Sequence, residues 1–536
     1  MTAAVGAARR GTVFGLLLLL LGWEAAGRGG WVAGGALPAP SQIALQAWAD
    51  RADYPAHVLG TLRTAAAGFA LGSLLGLALG LAYVRWPRLQ RVMAGVDVTV
   101  FAMPAIALVP ILIIALPGDA PRVVLSALSV YYPVMVAVVL GLRQTDPRLL
   151  DLVQVYGGDA FAALRWVRLR GGLPTLLSGL RVAAPAAVLG SLLAEFGSGA
   201  SAGLGTYLIG SLGRADPARL WGIGLAATTL SALAYLAVGL LAGRFAGHTV
   251  SASTPVGQAA DAGGGTRKGG APLAWTHRTG RAALVPLIAF FLPFLLWEAG
   301  TWALRLTEVS EVVYRDPLGV LEHLLWHETA AEHRADLGSA LAQTLPFALG
   351  GMALGLAFAF ALAIVSLLWP PLGATLLPLS LVTQSMPLVA LTPLVVLVFG
   401  RDAGGILAIT VSVTFFPAFV TIAQGLALVP PGLRDLVSAW GGDRGVWLRR
   451  VAVPWATPYL CAALRLAAPR ALLGVMIAEW LATGTGLGNL LNEARGRMDY
   501  GTIWSVAVVS VAVAVALHAA AAALERRVLR RFAFAP

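Results

Sequence analysis

Asp151-Leu152-Val153 returns 284 residues later as Asp435-Leu436-Val437, and the register then holds. Gly157-Gly158-Asp159 matches Gly441-Gly442-Asp443, Leu164-Arg165 matches Leu448-Arg449, and Pro174 matches Pro458. Further on, Arg181 pairs with Arg465, Ala183-Ala184-Pro185 with Ala467-Ala468-Pro469, Gly190 with Gly474, and Ala194-Glu195 with Ala478-Glu479. A slip of one residue then aligns Gly203-Leu204-Gly205 with Gly486-Leu487-Gly488 and, upstream, Met103-Pro104 with Met386-Pro387. Chance likeness between apolar stretches does not keep charged, glycine and proline positions in step over such a length. The chain is two copies of one unit.

Each copy is composed for lipid. Of the 536 residues 58% are apolar and only 12% charged, against about 25% charged in an ordinary soluble domain. Stretches long enough to cross the hydrocarbon core, about 20 apolar residues each, fall near 11–27, 60–84, 94–116, 122–142, 175–196 and 220–242. They recur near 283–304, 339–368, 373–399, 404–427, 458–481 and 502–523. The expected fold is therefore all-α: a polytopic membrane protein of about twelve transmembrane helices in two tandem six-helix units. Between them, residues 244–280 are mostly Gly, Ser, Thr, Ala and scattered charge, the composition of a flexible tether. This divides the chain into a first unit at 1–243, a linker at 244–280 and a second unit at 281–536. An even number of spans per copy makes both copies enter from one side, related by a pseudo-two-fold axis along the membrane normal. Such a pair encloses a path, which suits transport better than enzymatic chemistry.

Charge placement gives the orientation. The net charge is +12, almost wholly arginine. Arg9-Arg10, Arg85 to Arg91, Arg143 to Arg170, Arg267 to Arg281, Arg434 to Arg450 and Arg526 to Arg531 all fall on one side of a twelve-span path. That side is expected to be the cytoplasm, with both termini in it. The basic surplus thus belongs to membrane topology, and no nucleic acid partner is expected. Arg9-Arg10 and the apolar run after it have two regions of a secretory signal, but no clear cleavage site follows, so a retained first span is expected. The single cysteine, Cys461, excludes an intrachain disulfide and a cysteine metal site.

The best-matched stretch of the duplication is an arginine-rich loop. In the second copy Asp435-Leu-Val-Ser-Ala-Trp-Gly441 is followed, after nine residues, by Val451-Ala-Val-Pro454. The pattern resembles the EAA loop of ABC importer permeases, which reads E-A-A, three residues, G, nine residues, I-x-L-P. The first copy keeps the spacing with Asp151, Gly157 and Val167-Arg-Leu169, but Arg170 stands in the proline position. In both copies aspartate replaces the glutamate and Leu-Val the two alanines. Leu37-Pro-Ala-Pro-Ser-Gln-Ile43, His57-Val-Leu-Gly-Thr-Leu-Arg63, the Ala-Glu pairs before Gly-Leu-Gly, and the arginine-rich end at Leu524 to Arg531 are similar to the nitrate/sulfonate/taurine branch of that family.

The resemblance implies a membrane permease of a bacterial inner membrane, working with two ABC ATPase subunits and an extracytoplasmic substrate-binding protein. The substrate it implies is a small anion such as a sulfonate, taurine or nitrate, or a related nutrient such as a thiamine precursor. It implies that the two loops seat in the ATPases, through Asp151, Gly157, Gly158 and Arg165 in one copy and Asp435, Gly441, Gly442, Arg449 and Pro454 in the other. Gly157 and Gly441 would allow a sharp turn, Asp151 and Asp435 would cap or pair at a helix start, and the arginines would meet acidic or carbonyl groups. No G-x-x-x-x-G-K-[ST] phosphate loop occurs in the chain, so this chain is expected to be no enzyme and to carry no cofactor, with ATP and Mg on the partner subunits. The competing expectation is an ion-coupled secondary transporter that needs no ATPase.

Other residues invite weighing. Glu195 and Glu479, at outer span ends, could line an outer gate or accept hydrogen bonds from the glycine loops after them. Met103, Pro104, Gln384, Ser385, Met386 and Pro387 sit where prolines interrupt paired spans, as helices flanking a path do. Asp97, with Ser380 as its counterpart, could be an ion site but lies within snorkelling reach of the cytoplasm. His323 and His327, four apart, could hold zinc, although an interfacial amphipathic segment explains them better, and no metal is expected. Trp23 and Trp297 read as interfacial anchors.

Overall fold

The computed structural model describes residues 15, 17–214, 216–246, 281–305, 314–369, 372–373, 376 and 388–531. Every regular element among them is helical. After a helical stretch at 17–28, the first copy consists of α1 (Pro40–Ala49), α2 (Tyr54–Arg85), α3 (Pro87–Ala102), α4 (Ala105–Ala115) and α5 (Ala120–Arg143). It continues with α6 (Pro147–Val155), α7 (Leu169–Ser198), α8 (Leu204–Leu212) and α9 (Pro217–Ala246). The second copy runs through α10 (Arg281–Arg305), α11 (Pro317–Leu325), α12 (Ala330–Leu368), α13 (Leu388–Phe399) and α14 (Ala403–Ala427). It ends with α15 (Pro431–Ala439), α16 (Val453–Ala478), α17 (Gly486–Gly496) and α18 (Tyr500–Arg531).

Eight helical segments among the described residues are long and apolar enough to span a membrane: those containing α2, α5, α7, α9, α12, α14, α16 and α18. The bent pair α3 and α4 makes a ninth, and α10 contains a shorter apolar helix, Leu287–Ala303. The expected span at 94–116 is therefore not one helix but two, meeting at 96°. Pro104 lacks an N–H, and Met103 and Pro104 both take extended ψ values, 124° and 110°, so the ladder stops there. The expected spans at 11–27 and 373–399 lie partly, and the tether from 247 to 280 wholly, outside the described residues.

Small residues set the packing. Buried Gly68, Gly72, Gly76 and Gly80 form one stripe of α2. A Cβ at Gly72 would stand 2.5 Å from the Ala127 carbonyl oxygen, and one at Gly76 2.6 Å from that of Tyr131. α2 and α5 consequently pack backbone to backbone, the way helices associate in lipid, where apolar burial alone gives little drive. The second copy repeats the stripe as Gly351, Gly355, Ala359 and Ala363 of α12, against Thr410 and Thr414 of α14.

The copies interlock. α10 packs along α3, α4 touches α16, α17 and α18, and α13 touches α7 and α9. One buried apolar cluster contains Val109 and Leu192 of the first copy together with Leu394, Val475 and Leu491 of the second. The tryptophan anchors are duplicated as well. Trp23 Nε1 donates to the Pro38 carbonyl and Trp297 Nε1 to that of Arg315, each at 3.0 Å. Their rings meet Trp221 and Trp504 at 5.6 and 5.4 Å.

Candidate functional site

The matched arginine-rich loops fold into the same device twice. α6 is opened by Asp146, whose Oδ1 accepts from the Arg148 amide at 2.9 Å. It closes on Gly157 at φ +76°, and α15 closes on Gly441 at φ +72°. Side chains other than glycine avoid that region. The next glycine is fixed by crowding, since a Cβ at Gly158 would come 2.5 Å from Val153 Cγ1 and one at Gly442 2.6 Å from Val437 Cγ1. Asp159 Oδ1 then accepts from the Ala162 amide at 2.8 Å and Asp443 Oδ1 from that of Val446 at 2.7 Å. These caps start the helical turns that lead through Ala163–Arg168 and Leu448–Ala452 into α7 and α16. Pro454 takes a first-turn position of α16, where its missing N–H costs nothing.

The capping expected of Asp151 and Asp435 is corrected by this geometry. Both stand in mid-helix, exposed, while Asp146, Asp159 and Asp443 do the capping. Their position four residues after an opening proline, with α6 and α15 starting at Pro147 and Pro431, was the signal overlooked. Arg165 and Arg449 are exposed, and Arg165 lies 5.3 Å from the Trp166 ring. Tyr156 and Trp440, at 84% and 86% exposure, project from the helix ends just before each turning glycine. With half-exposed Leu152 and Leu436 they give each device an apolar tip carried on polar flanks. Large apolar groups that project from a short, sharply turned helix are shaped for a cleft on another protein.

Of the two readings of Glu195 and Glu479, an outer gate or an acceptor for the glycine loops after them, the geometry matches the second. Both are buried, at 2% and 1% exposure, and both are engaged inside their own copy. Glu195 Oε2 accepts from the Gly205 amide at 2.7 Å, and Oε1 from Thr61 Oγ1 at 2.8 Å and Ser191 Oγ at 3.2 Å. Glu479 Oε2 accepts from the Gly488 amide at 2.9 Å and Oε1 from Thr344 Oγ1 at 2.8 Å. Each threonine oxygen in turn accepts an amide, Leu204 or Leu487, at 2.9 Å. The carboxylates thus cap α8 and α17, satisfying amide groups that a helix start leaves open and that lipid cannot satisfy.

Met103 and Pro104 sit at the 96° break between α3 and α4. Gln384, Ser385, Met386 and Pro387 lie outside the described residues. Asp97 is buried, its Oδ1 accepting from the Tyr83 and Tyr131 hydroxyls at 3.1 Å each. His323 and His327 gather with His333, ring centroids 4.0 Å apart for His323 and His333 and 6.0 Å for the other two pairs. Thr329 Oγ1 bridges His327 Nδ1 and His333 Nε2 at 2.8 and 2.7 Å. Among the described residues no group of three His, Cys, Asp or Glu is placed to hold a metal ion.

Comparison with known proteins matches the same two units. The family described as binding-protein-dependent transport system inner membrane component matches residues 71–249 and again 351–530. A Haemophilus influenzae protein named as an ABC transporter permease is 30% identical over 235 residues, covering 44% of this chain and 92% of that protein. A formylaminopyrimidine transport permease of Halalkalibacterium halodurans is 28% identical over 222 residues, 40% of this chain and 83% of its own. A Bacillus subtilis permease whose name assigns it to aliphatic sulfonate transport is 29% identical over 210 residues, 38% of this chain and 75% of its own. Each relative is the size of one unit, so this chain carries in tandem what they carry once. With both halves matched and the helical repeat in view, the chain belongs to the family of binding-protein-dependent transport system inner membrane components, as an all-helical, multi-pass permease of the ABC transporter type.

Proposed function

We propose that this chain supplies the entire transmembrane part of an ATP-driven importer. Two ATPase subunits bind α6 and α15 from the cytoplasm, where both termini also lie, and an extracytoplasmic binding protein delivers a small solute to the opposite face. The units are 1–243 and 281–536, joined by the cytoplasmic linker 244–280. ATP and Mg are held by the ATPases, and this chain does no hydrolysis. The solute is a sulfonate-, taurine- or nitrate-like anion or a related nutrient such as a thiamine precursor, in keeping with the sulfonate and formylaminopyrimidine relatives.

The observation that carries this reading is the duplicated turn at Gly157 and Gly441 with its exposed aromatic tips, Tyr156 and Trp440. An ATPase pair that closes on nucleotide draws its two clefts together. α6 and α15, seated in them, would pull α7 and α16 through the short capped turns at Asp159 and Asp443. The bend at Met103-Pro104 gives the first copy a joint at which such a displacement can be taken up. Gln384 to Pro387 are assigned the matching place in the second copy by register.

Reconstitution tests it. Proteoliposomes holding this chain, its ATPase and its binding protein should accumulate solute only with ATP and Mg, and the chain alone should accumulate none under any ion gradient. Gradient-driven uptake by the chain alone would overturn the reading in favour of an ion-coupled carrier, for which Asp97 is the one candidate carboxylate the sequence singled out.

A further inference from the structure

Beyond Arg170 at the very start of α7, which lies over the Trp166 ring at 4.8 Å, three arginines sit within the spans α7 and α16, and two of them are occupied. Arg181 lies over the Tyr235 ring at 4.1 Å, and its register partner Arg465 pairs with Glu525 at 3.1 Å. The third, Arg470, has neither: no hydrogen bond, ion pair or ring contact joins it to any other residue among those described. Register places Ala186 at the equivalent point of the first copy, so the charge is present on one side of the pseudo-two-fold only.

Its depth makes an unpaired charge costly. Arg470 stands roughly 25 Å along the helix from Val453 and roughly 20 Å short of the outer end of the span at Thr483. α16 belongs to the most enclosed of the candidate spans among the described residues. Arg470 is nonetheless not sealed: it keeps partial solvent access, and none of its nitrogens is among the sealed, unpartnered polar atoms. Ala468, Pro469, Ala471 and Leu472 around it in α16 are buried, so Arg470 stands on a face of the span that is less tightly packed than its neighbours. An arginine in lipid at this depth would be expensive, and one on a water-filled path is tolerated.

We propose that Arg470 is an anion-binding residue of the translocation path, contributed by the second copy alone, and that it takes a small oxyanion such as a sulfonate or carboxylate. Guanidinium offers a planar fork of N–H donors that matches two oxygens of such a group. The proposal rests on the importer reading only for the direction of travel, and it narrows that reading to anionic cargo.

The test is chemical labelling of the purified full chain in lipid nanodiscs with phenylglyoxal, which modifies accessible guanidinium groups, mapped by mass spectrometry. Arg470 should label despite its depth, ethanesulfonate should protect it, and neutral ethyl methyl sulfone should not. Arg181, held against Tyr235, is the internal control and should not gain protection. An unlabelled Arg470, or labelling that ethanesulfonate leaves unchanged, would overturn the site. In the assembled importer, Arg470→Gln should lower sulfonate uptake by roughly tenfold or more, with Arg470→Lys restoring part of it. ATP-driven uptake that Arg470→Gln leaves intact would overturn the inference and keep the importer. Protection of Arg470 in a chain that shows no ATP-driven uptake would do the reverse.

Discussion

Thr61 donates its hydroxyl to Glu195 at 2.8 Å across 134 residues of chain, and Thr344 does the same for Glu479 at 2.8 Å across 135. α2 is thereby tied to the end of α7, and α12 to the end of the span containing α16, each at the start of a short helix, α8 or α17. The two clamps do one job with different helpers: the Gly203 amide donates to His57 Nδ1 at 3.1 Å, whereas the Gly486 amide donates to Gln343 Oε1 at 2.9 Å. A pair preserved across the duplication while its neighbours changed is the invariant part of the device.

Glu195→Gln should therefore destabilise the chain. The carboxylate accepts donors at both oxygens, and an amide must turn its NH2 toward one of them. One unmet buried donor costs about 1–3 kcal/mol. Thermal unfolding in detergent should show the loss, and Glu479→Gln should match it. Full stability in both variants would refute the clamp.

Gly157→Val and Gly441→Val strain the turns at positive φ, each by roughly 1–2 kcal/mol. The strain falls on a loop whose backbone is exposed, so the spans should stay folded while ATP-driven uptake drops severely. Gly432→Ala is the control, because a Cβ there meets nothing within 4 Å. Uptake unchanged in both valine variants would remove these turns from the transport cycle.

Tyr156→Asp and Trp440→Asp alter only the apolar tips. Neither side chain supports the fold, at 84% and 86% exposure, so the chain should keep its melting temperature. Co-purification of the ATPase should fall for each variant and vanish for the pair. An ATPase retained by the double variant would place the docking surface elsewhere.

The duplication, most of the spans and the two glycine turns were legible because each leaves a local mark: register, apolar length, and glycine after a short helix. The roles of Glu195 and Glu479 were legible only as two alternatives, because an ionisable residue at a span end carries the same letter whether it faces a cavity or accepts from the loop that follows. The threonines at 61 and 344, in register at an offset one shorter than the arginine-rich loops, are the part of the clamp that this reading lacked. The bend at Met103-Pro104 was readable as an interruption but not as a right-angled turn, since proline stops a helix without fixing where the next one points. Arg470 escaped notice for a related reason. Comparison of the copies draws attention to what they share, and this residue is distinguished by what one copy lacks.

The histidine cluster gives the opposite face a pH response. Burial, then the neighbouring charge of His333, holds the His323 imidazole below its ordinary value of 6.5, with Asp499 pulling the other way and His327 and Arg315 adding to the depression. A histidine whose folded value is depressed favours the folded state when neutral. Its contribution is complete above about 6.5 and is lost as the pH falls through that value toward the folded one. The charged form has little room: His333 stacks on His323 at 4.0 Å, and a Cβ at Gly501 would meet the His323 ring at 2.6 Å. Between about pH 7 and 5, hydrogen exchange should therefore rise where α11 meets the starts of α12 and α18. His323→Gln should flatten that rise, since glutamine does not titrate in this range and its amide reaches toward Thr502, whose hydroxyl lies 3.4 Å from His323 Nε2. Exchange at this corner that is flat with pH in the parent chain would show that the imidazole titrates without cost and that the cluster is not a constraint on the fold.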